Sequence, residues 1–260
     1  MIQSIDRALN ILELLANSEK PLGVIEISQA LGLKISTTHN ILRTLMYRGY
    51  VEQDGERGKY QDGYKTIVLA NKILGKLDLK KIAEPYIDAL IKEFNETVFL
   101  GILRDGQIIN LIVKSGNRPI IVNPQPQKSG SRLHSTAMGK VLIAFLPEGE
   151  IDRLLDIQGL TSFTKHTLVK KEDIKAHLKE VREKGVAFNR GEETDGVYGV
   201  AAPIRDFNGN VIGGLCIGYP EARFSKEYED KLASVVKSYA DEISLKLGYT
   251  GKILKNTEFC

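Results

Sequence analysis

Val24-Ile25-Glu26-Ile27-Ser28-Gln29-Ala30-Leu31-Gly32-Leu33-Lys34-Ile35-Ser36-Thr37-Thr38-His39-Asn40-Ile41-Leu42-Arg43-Thr44-Leu45 is the stretch that decides the fold of this chain. Ile27 and Leu31 share one face of a short helix. Gly32 then supplies a left-handed turn that ends it. A longer helix follows from about Ser36 to Arg48, with Thr38, Ile41, Leu42 and Leu45 pointing inward. Ser36, Thr37, His39, Asn40 and Arg43 are left outside. Short polar side chains on that face suit a helix lying in a DNA major groove, where base edges offer donors and acceptors.

The flanks fit the same picture. Residues 5–16 read as a helix with Ile5, Leu9, Leu12, Leu15 and Ala16 at helical spacing and Ser4 as its cap. Pro21 interrupts before the central stretch. Downstream, Gly49 closes the long helix. Tyr50-Val51, a polar stretch from Asp54 to Gly58, and Tyr60 read as a hairpin with a charged tip. Helix, short helix, glycine turn, amphipathic helix and hairpin, in that order, make a winged helix-turn-helix. Arg57 and Lys59 on the wing are candidates for phosphate contacts. The competing reading is a small helical subdomain that packs on another surface.

Thr66 to Lys80 carries Ile67, Val68, Leu69, Ile73, Leu74, Leu77 and Leu79, too apolar for a solvated linker. A connecting helix covered by a dimer partner accounts for it, or one packed on its own C-terminal domain. Beyond it, Ile82 to Phe94 reads as a helix with Pro85 in its first turn. Thr97–Leu103 and Gln107–Lys114 are strands joined by Asp105-Gly106, a strong hairpin signal. Ala137–Phe145, Glu148–Asp156 and Lys171–Lys184 read as helices. Val186–Asn189, Tyr198–Asp206 and Val211–Tyr219 read as strands, and Ser225 caps a long final helix. Strand runs with helices at the ends predict an α+β domain with an antiparallel sheet. The domains are therefore 1–65, DNA binding; 66–80, linker helix; 81–250, a second domain; and 251–260, a tail.

Composition sets outer bounds. The 260 residues suit two domains. No apolar run reaches the roughly 18 residues of a membrane span, and the start lacks a signal-peptide pattern. The 2 cysteines, Cys216 and Cys260, form no CxxC pair, so neither a disulfide scaffold nor a Cys-rich zinc site is expected. A reducing cytoplasm is the expected home. The net charge of +3 decides little, because acids interleave with bases even in the DNA-binding segment. The DNA reading rests on pattern.

At this point the chain resembles the IclR family of bacterial regulators over roughly residues 2–248. Four segments carry the resemblance: Ser4 to Leu9; Leu31-Gly32-Leu33 with Ser36-Thr37-Thr38; Leu133-His134-Ser135-Thr136-Ala137-Met138-Gly139-Lys140; and Phe188 to Pro203, with Glu192, Gly196 and Ala201-Ala202-Pro203. The resemblance implies a GAF-like sensor domain, a double-stranded DNA operator, homodimers that can pair into homotetramers, and control of a catabolic operon, repression ahead of activation. It implies a small organic or aromatic acid as effector and no catalysis; no cofactor is expected, and no metal, because this chain departs from the family at Asn189 and Gly199. By position it assigns the effector site to Ser131, Ala137, Met138, Asn189, Val197, Gly199, Cys216 and Gly218. The amides of Ala137 and Met138 open a helix, where free N–H groups and the helix dipole favour a carboxylate. Asn189 stands where some members carry an acid, and Gly199 where some carry Cys. Asn40 stands where Arg is frequent, which points to a different operator.

Other functions leave traces that are missing. His134 beside Ser135 has no third partner for a nucleophilic triad; His134 reads instead as support for the pocket loop. The glycines at 199, 213, 214 and 218 match no phosphate loop and suit close backbone approach within a curved sheet. Cys216 fits pocket and core equally. An enzyme, or an assembly module whose helix-turn-helix contacts only protein, are the rival classes. Specific binding to DNA upstream of the gene with a steep salt dependence separates both from a regulator.

Overall fold

The computed structural model describes residues 2–54, 58–74, 77–123 and 132–251. The chain divides between residues 77 and 78 into two compact units.

The first unit contains α1 (Gln3–Ala16), α2 (Val24–Ala30), α3 (Ile35–Tyr47), β1 (Val51–Gln53), β2 (Tyr60–Asp62) and α4 (Tyr64–Leu74). Ile11, Leu15, Ile27, Leu42, Leu45, Val51 and Tyr60 make its core. β1 and β2 pair antiparallel with Val51 opposite Asp62, and Leu22 bridges to Tyr60, tying the wing to the segment before α2. Gly32 (φ +62°) and Gly49 (φ +76°) both take the left-handed turn that ends the preceding helix.

Two details of α1 differ from the sequence reading. The helix starts at Gln3 after Ile2, and no side chain caps it, so Ser4 lies inside it. Ile5 and Leu9 are 55% and 52% exposed, while the buried face is Ile11 and Leu15. Apolar residues ring most of this helix, and α3 with the wing can cover only one side of it.

Thr66 to Lys80 is not one helix. α4 ends at Leu74, and a new helix, α5 (Leu79–Phe94), begins after Asp78. The Asp78 carboxylate accepts a hydrogen bond from the Lys80 amide at 3.0 Å. That local bond competes with helix continuation and favours a cap. Because α5 starts early, Pro85 sits inside it rather than in its first turn.

The second unit begins with α5 and continues through β3 (Thr97–Arg104), β4 (Gln107–Lys114), α6 (Ala137–Ile143), α7 (Glu148–Gln158), α8 (Lys171–Lys184), β5 (Ala187–Arg190), β6 (Val197–Arg205), β7 (Val211–Pro220) and α9 (Lys226–Lys246). The strands form one antiparallel sheet in the order β4-β3-β7-β6-β5. This is the α+β architecture read from the pattern. Asp105 (φ 51°) and Gly106 (φ 74°) both take positive φ, the geometry of a tight hairpin turn. Alternate strand residues face opposite sides. On one side Ala201 and Cys216 pack under Met138, Val141 and Leu142 of α6, with α7 and α8 behind. On the other side Tyr219 meets Tyr228 of α9 at 5.5 Å between ring centres. The Ser225 hydroxyl caps α9 by accepting from the Tyr228 amide at 3.1 Å.

Candidate functional sites: a DNA-reading helix and a sensor face

The rotation of α3 is set from inside. Thr38 is fully buried, and its hydroxyl meets that of Ser28 on α2 at 3.1 Å. With Leu42 and Leu45 packed below, this bond turns Ser36, His39, Asn40 and Arg43 to solvent, with Thr37 half-buried at the flank. Helix spacing lines Ser36, Asn40 and Arg43 along one stripe. Lys59 lies at the wing base 3.7 Å from Glu26, both side chains more than half exposed. An exposed pair of this kind holds little energy, so Lys59 can exchange Glu26 for a phosphate. Arg57 lies outside the described residues.

In the second unit, Thr136 starts α6 by accepting from the Gly139 amide at 3.0 Å. Ala137 in the first turn faces Gly199 of β6: a Cβ added to Gly199 would lie 4.0 Å from Ala137 Cβ and 3.9 Å from Cys216 Sγ. A Cβ on Gly218 would lie 3.4 Å from both Phe99 and Val122. Ala137, Gly199, Cys216 and Gly218 thus belong to one neighbourhood, with Phe99 and Val122, which sequence reasoning missed, at its edge. Val197 is half-buried at the start of β6. Ser131 lies outside the described residues.

Three of the assigned residues have other engagements. Met138 aims its thioether away along the sheet: a Cβ on Gly214 would fall 2.6 Å from Met138 Sδ, and one on Gly101 3.0 Å from Met138 Cε. Gly101 and Gly214 are directly paired between β3 and β7, so the side chain fills a hole left by two glycines. Only the Met138 amide is suited to a ligand here. The Asn189 carbonyl oxygen accepts from the Glu192 amide at 2.8 Å, closing the turn after β5. Cys216 is buried, and burial pushes its thiol up to about 12, so it is an unreactive wall rather than a nucleophile.

The strongest interaction of the site went unread in the sequence. Lys140 is 1% exposed, in the middle of an apolar helix. Its ammonium donates to both oxygens of Glu192 (2.6 and 2.5 Å) and to the Phe188 carbonyl (2.9 Å). Burial pulls Lys140 below its ordinary pKa, and the Glu192 carboxylate opposes that shift. All three ammonium protons are used, the condition under which a buried ion pair is tolerated. The pair binds 133–140 to 188–203, the two segments singled out in the C-terminal half. Thr167 and Thr164 anchor the same turn through the carbonyls of Glu192 and Gly191, each at 2.7 Å. A lysine inside Ala137–Ile143 was the available signal, since a buried charge demands a partner.

His134 is buried, and its Nε2 donates to the Thr161 carbonyl at 3.0 Å while the ring stacks on Phe163 at 5.8 Å. Burial holds its pKa below the usual imidazole value. The Ser135 hydroxyl is buried and makes no hydrogen bond among the described residues. The two side chains are therefore not coupled as base and nucleophile. Among the described residues no cluster of His, Cys, Asp or Glu is placed to hold a metal ion, and no helix is long and apolar enough to cross a membrane.

Comparison with known proteins agrees with both units. A family model for the IclR helix-turn-helix domain matches residues 4–55, and one for the bacterial transcriptional regulator IclR C-terminal region matches residues 71–245. The chain is 34% identical over 253 residues to the HTH-type transcriptional regulator XynR of Escherichia coli, covering 96% of this chain and 98% of that one. It is 35% identical over 251 residues to the glycerol operon regulatory protein of Streptomyces coelicolor, covering 95% and 97%. The crystal structure of the Agobacterium tumefaciens repressor BlcR shares the fold, with a TM-score of 0.79, 24% identity and coverage of 96% and 99%. The family is one of regulators, not enzymes, and this chain belongs to it: it is an IclR-family bacterial transcriptional regulator with an N-terminal helix-turn-helix.

Proposed function

We propose that this regulator is a cytoplasmic, ligand-responsive repressor of a catabolic operon. Residues 1–65 bind a double-stranded operator, 66–80 connect the domains, and 81–250 form a GAF-like effector domain in which a small organic or aromatic acid alters operator affinity. The working unit is a homodimer, with tetramers formed through the sensor domains. One observation carries the sensing part. Ala137, Gly199, Cys216 and Gly218 share a neighbourhood between the two segments that the Lys140–Glu192 pair joins. The amides of Ala137 and Met138 open a helix there and favour a carboxylate. Asn189 keeps its amide NH2 for a neutral hydrogen bond to the acid, its oxygen being engaged. A relative named for a glycerol operon and a structural neighbour named a repressor support the operon and the sign of control.

The test is a thermal-shift screen of organic and aromatic acids on the wild type and on Gly199→Leu. The Gly199 backbone accepts a side chain without strain, since an added Cβ would meet its neighbours at ordinary contact distances of 3.4–4.0 Å. Leu there should fill the space beside Ala137 and Cys216. A hit should raise the wild-type Tm and leave the variant unmoved. Equal stabilisation of both proteins places the effector elsewhere.

On the DNA side, Ser36, Thr37, His39, Asn40 and Arg43 face the groove in this reading, with Lys59 and Arg57 at phosphates. The Asn40 amide pairs with an adenine edge, an interaction worth about 1–3 kcal/mol of discrimination. Asn40→Ala should weaken operator binding by that amount and relax preference at one base pair, with the salt slope unchanged. Unaltered affinity and base preference in a titration against operator variants removes Asn40 from the contact set.

A further inference from the structure

Ile35 is the first residue of α3 and is 53% exposed. It takes no part in the core that holds this helix, which is built on Leu42 and Leu45 with Ile41 and Met46 at its margin. Its chain neighbours Lys34 and Ser36 are exposed and polar, and no side chain caps the helix start. Cα–Cβ bonds in a helix tilt toward the N-terminus, so the side chain of a first residue projects toward and past the helix end. In helix-turn-helix proteins that end of the recognition helix meets the base edges. The C5-methyl of thymine is the one apolar group among the base edges of a major groove. Isoleucine is stiff at χ1 and loses little freedom on contact. Against a cytosine amino group or a guanine oxygen the same side chain would cover a polar edge and offer it no partner.

We propose that Ile35 seats a thymine methyl and is a specificity-determining residue of operator recognition, acting beside Ser36 and Asn40. The proposal rests on α3 being the recognition helix.

The experiment uses the full-length chain and DNA alone. The wild type first selects its preferred duplexes from a random pool. Each thymine of the selected site is then replaced singly by deoxyuridine, which removes the methyl and keeps the base pair. Wild-type affinity should fall about fourfold for one thymine in each half-site, the worth of one buried methyl-sized group. Ile35→Ala should bind the thymine and uracil duplexes alike at that position and keep the wild-type response elsewhere. Ile35→Val, which retains a branched apolar face, should keep the penalty. A uracil penalty that is the same in wild type and Ile35→Ala overturns the assignment, as does a wild type insensitive to every replacement. A change in assembly state of Ile35→Ala in sedimentation also overturns it, by placing the side chain at a subunit contact. Failure of the wild type to select any duplex overturns the recognition-helix reading and this inference with it.

Discussion

Lys140→Met should destabilise the C-terminal unit by about 3–5 kcal/mol, because it leaves the Glu192 carboxylate buried without its cation. For a unit of this size each kcal/mol shifts the melting point by about 2–4 °C, so a fall of roughly 10 °C is expected. Glu192→Leu should cost a comparable amount, since it leaves the buried ammonium with the Phe188 carbonyl as its remaining acceptor. Lys140→Met combined with Glu192→Leu should recover much of the loss, because two apolar side chains remove both desolvation penalties. Urea denaturation of the four proteins measures the cycle. Single variants within 1 kcal/mol of wild type would show that the pair does not join the two segments energetically. The proposed effector response should suffer with stability, because the pair holds α6 against the turn after β5.

Loss of the proposed dimer should have the largest effect on function. Ile2, Ile5 and Leu9 of the α1 region are 66%, 55% and 52% exposed, and Ile67 and Ile73 of α4 are 64% and 54% exposed. Monomeric proteins seldom leave so much apolar surface to water. A second copy covering these side chains would form a two-fold dimer reading two half-sites of a near-palindrome. Leu9→Asp with Ile67→Asp should give a monomer. Operator affinity should then fall by about 10²–10⁴, the gain that linking two binding events confers. Exposed substitutions outside the core typically change folding stability by no more than about 0.5 kcal/mol, so the variant should still fold. Sedimentation velocity and operator titration read the two results. A wild type already monomeric at micromolar concentration, with and without DNA, sinks the dimer.

The order of elements was written in the sequence, because local physics fixes it. Apolar spacing along 24–48 sets the helices, Gly32 and Gly49 set their ends, and Asp105-Gly106 sets the hairpin turn, each within a few residues of chain. The polar face of α3 was legible for the same reason: once Thr38, Leu42 and Leu45 face inward, the outer stripe follows from 3.6 residues per turn. Tertiary structure alone decided which side of α1 is buried, since its apolar residues ring the helix and only the position of α3 and the wing selects among them. The cap at Asp78 that starts α5 is local, but the contest between a cap and a continuing helix is one that propensity leaves nearly even. In the C-terminal unit the decisive contacts are non-local. Lys140 and Glu192 are 52 residues apart, and Met138 fills a hole that exists only because β3 and β7 bring Gly101 beside Gly214. No periodicity encodes such meetings. They arise when a sheet aligns strands from distant parts of the chain, and burial then makes each unpartnered charge or void costly enough to demand its match.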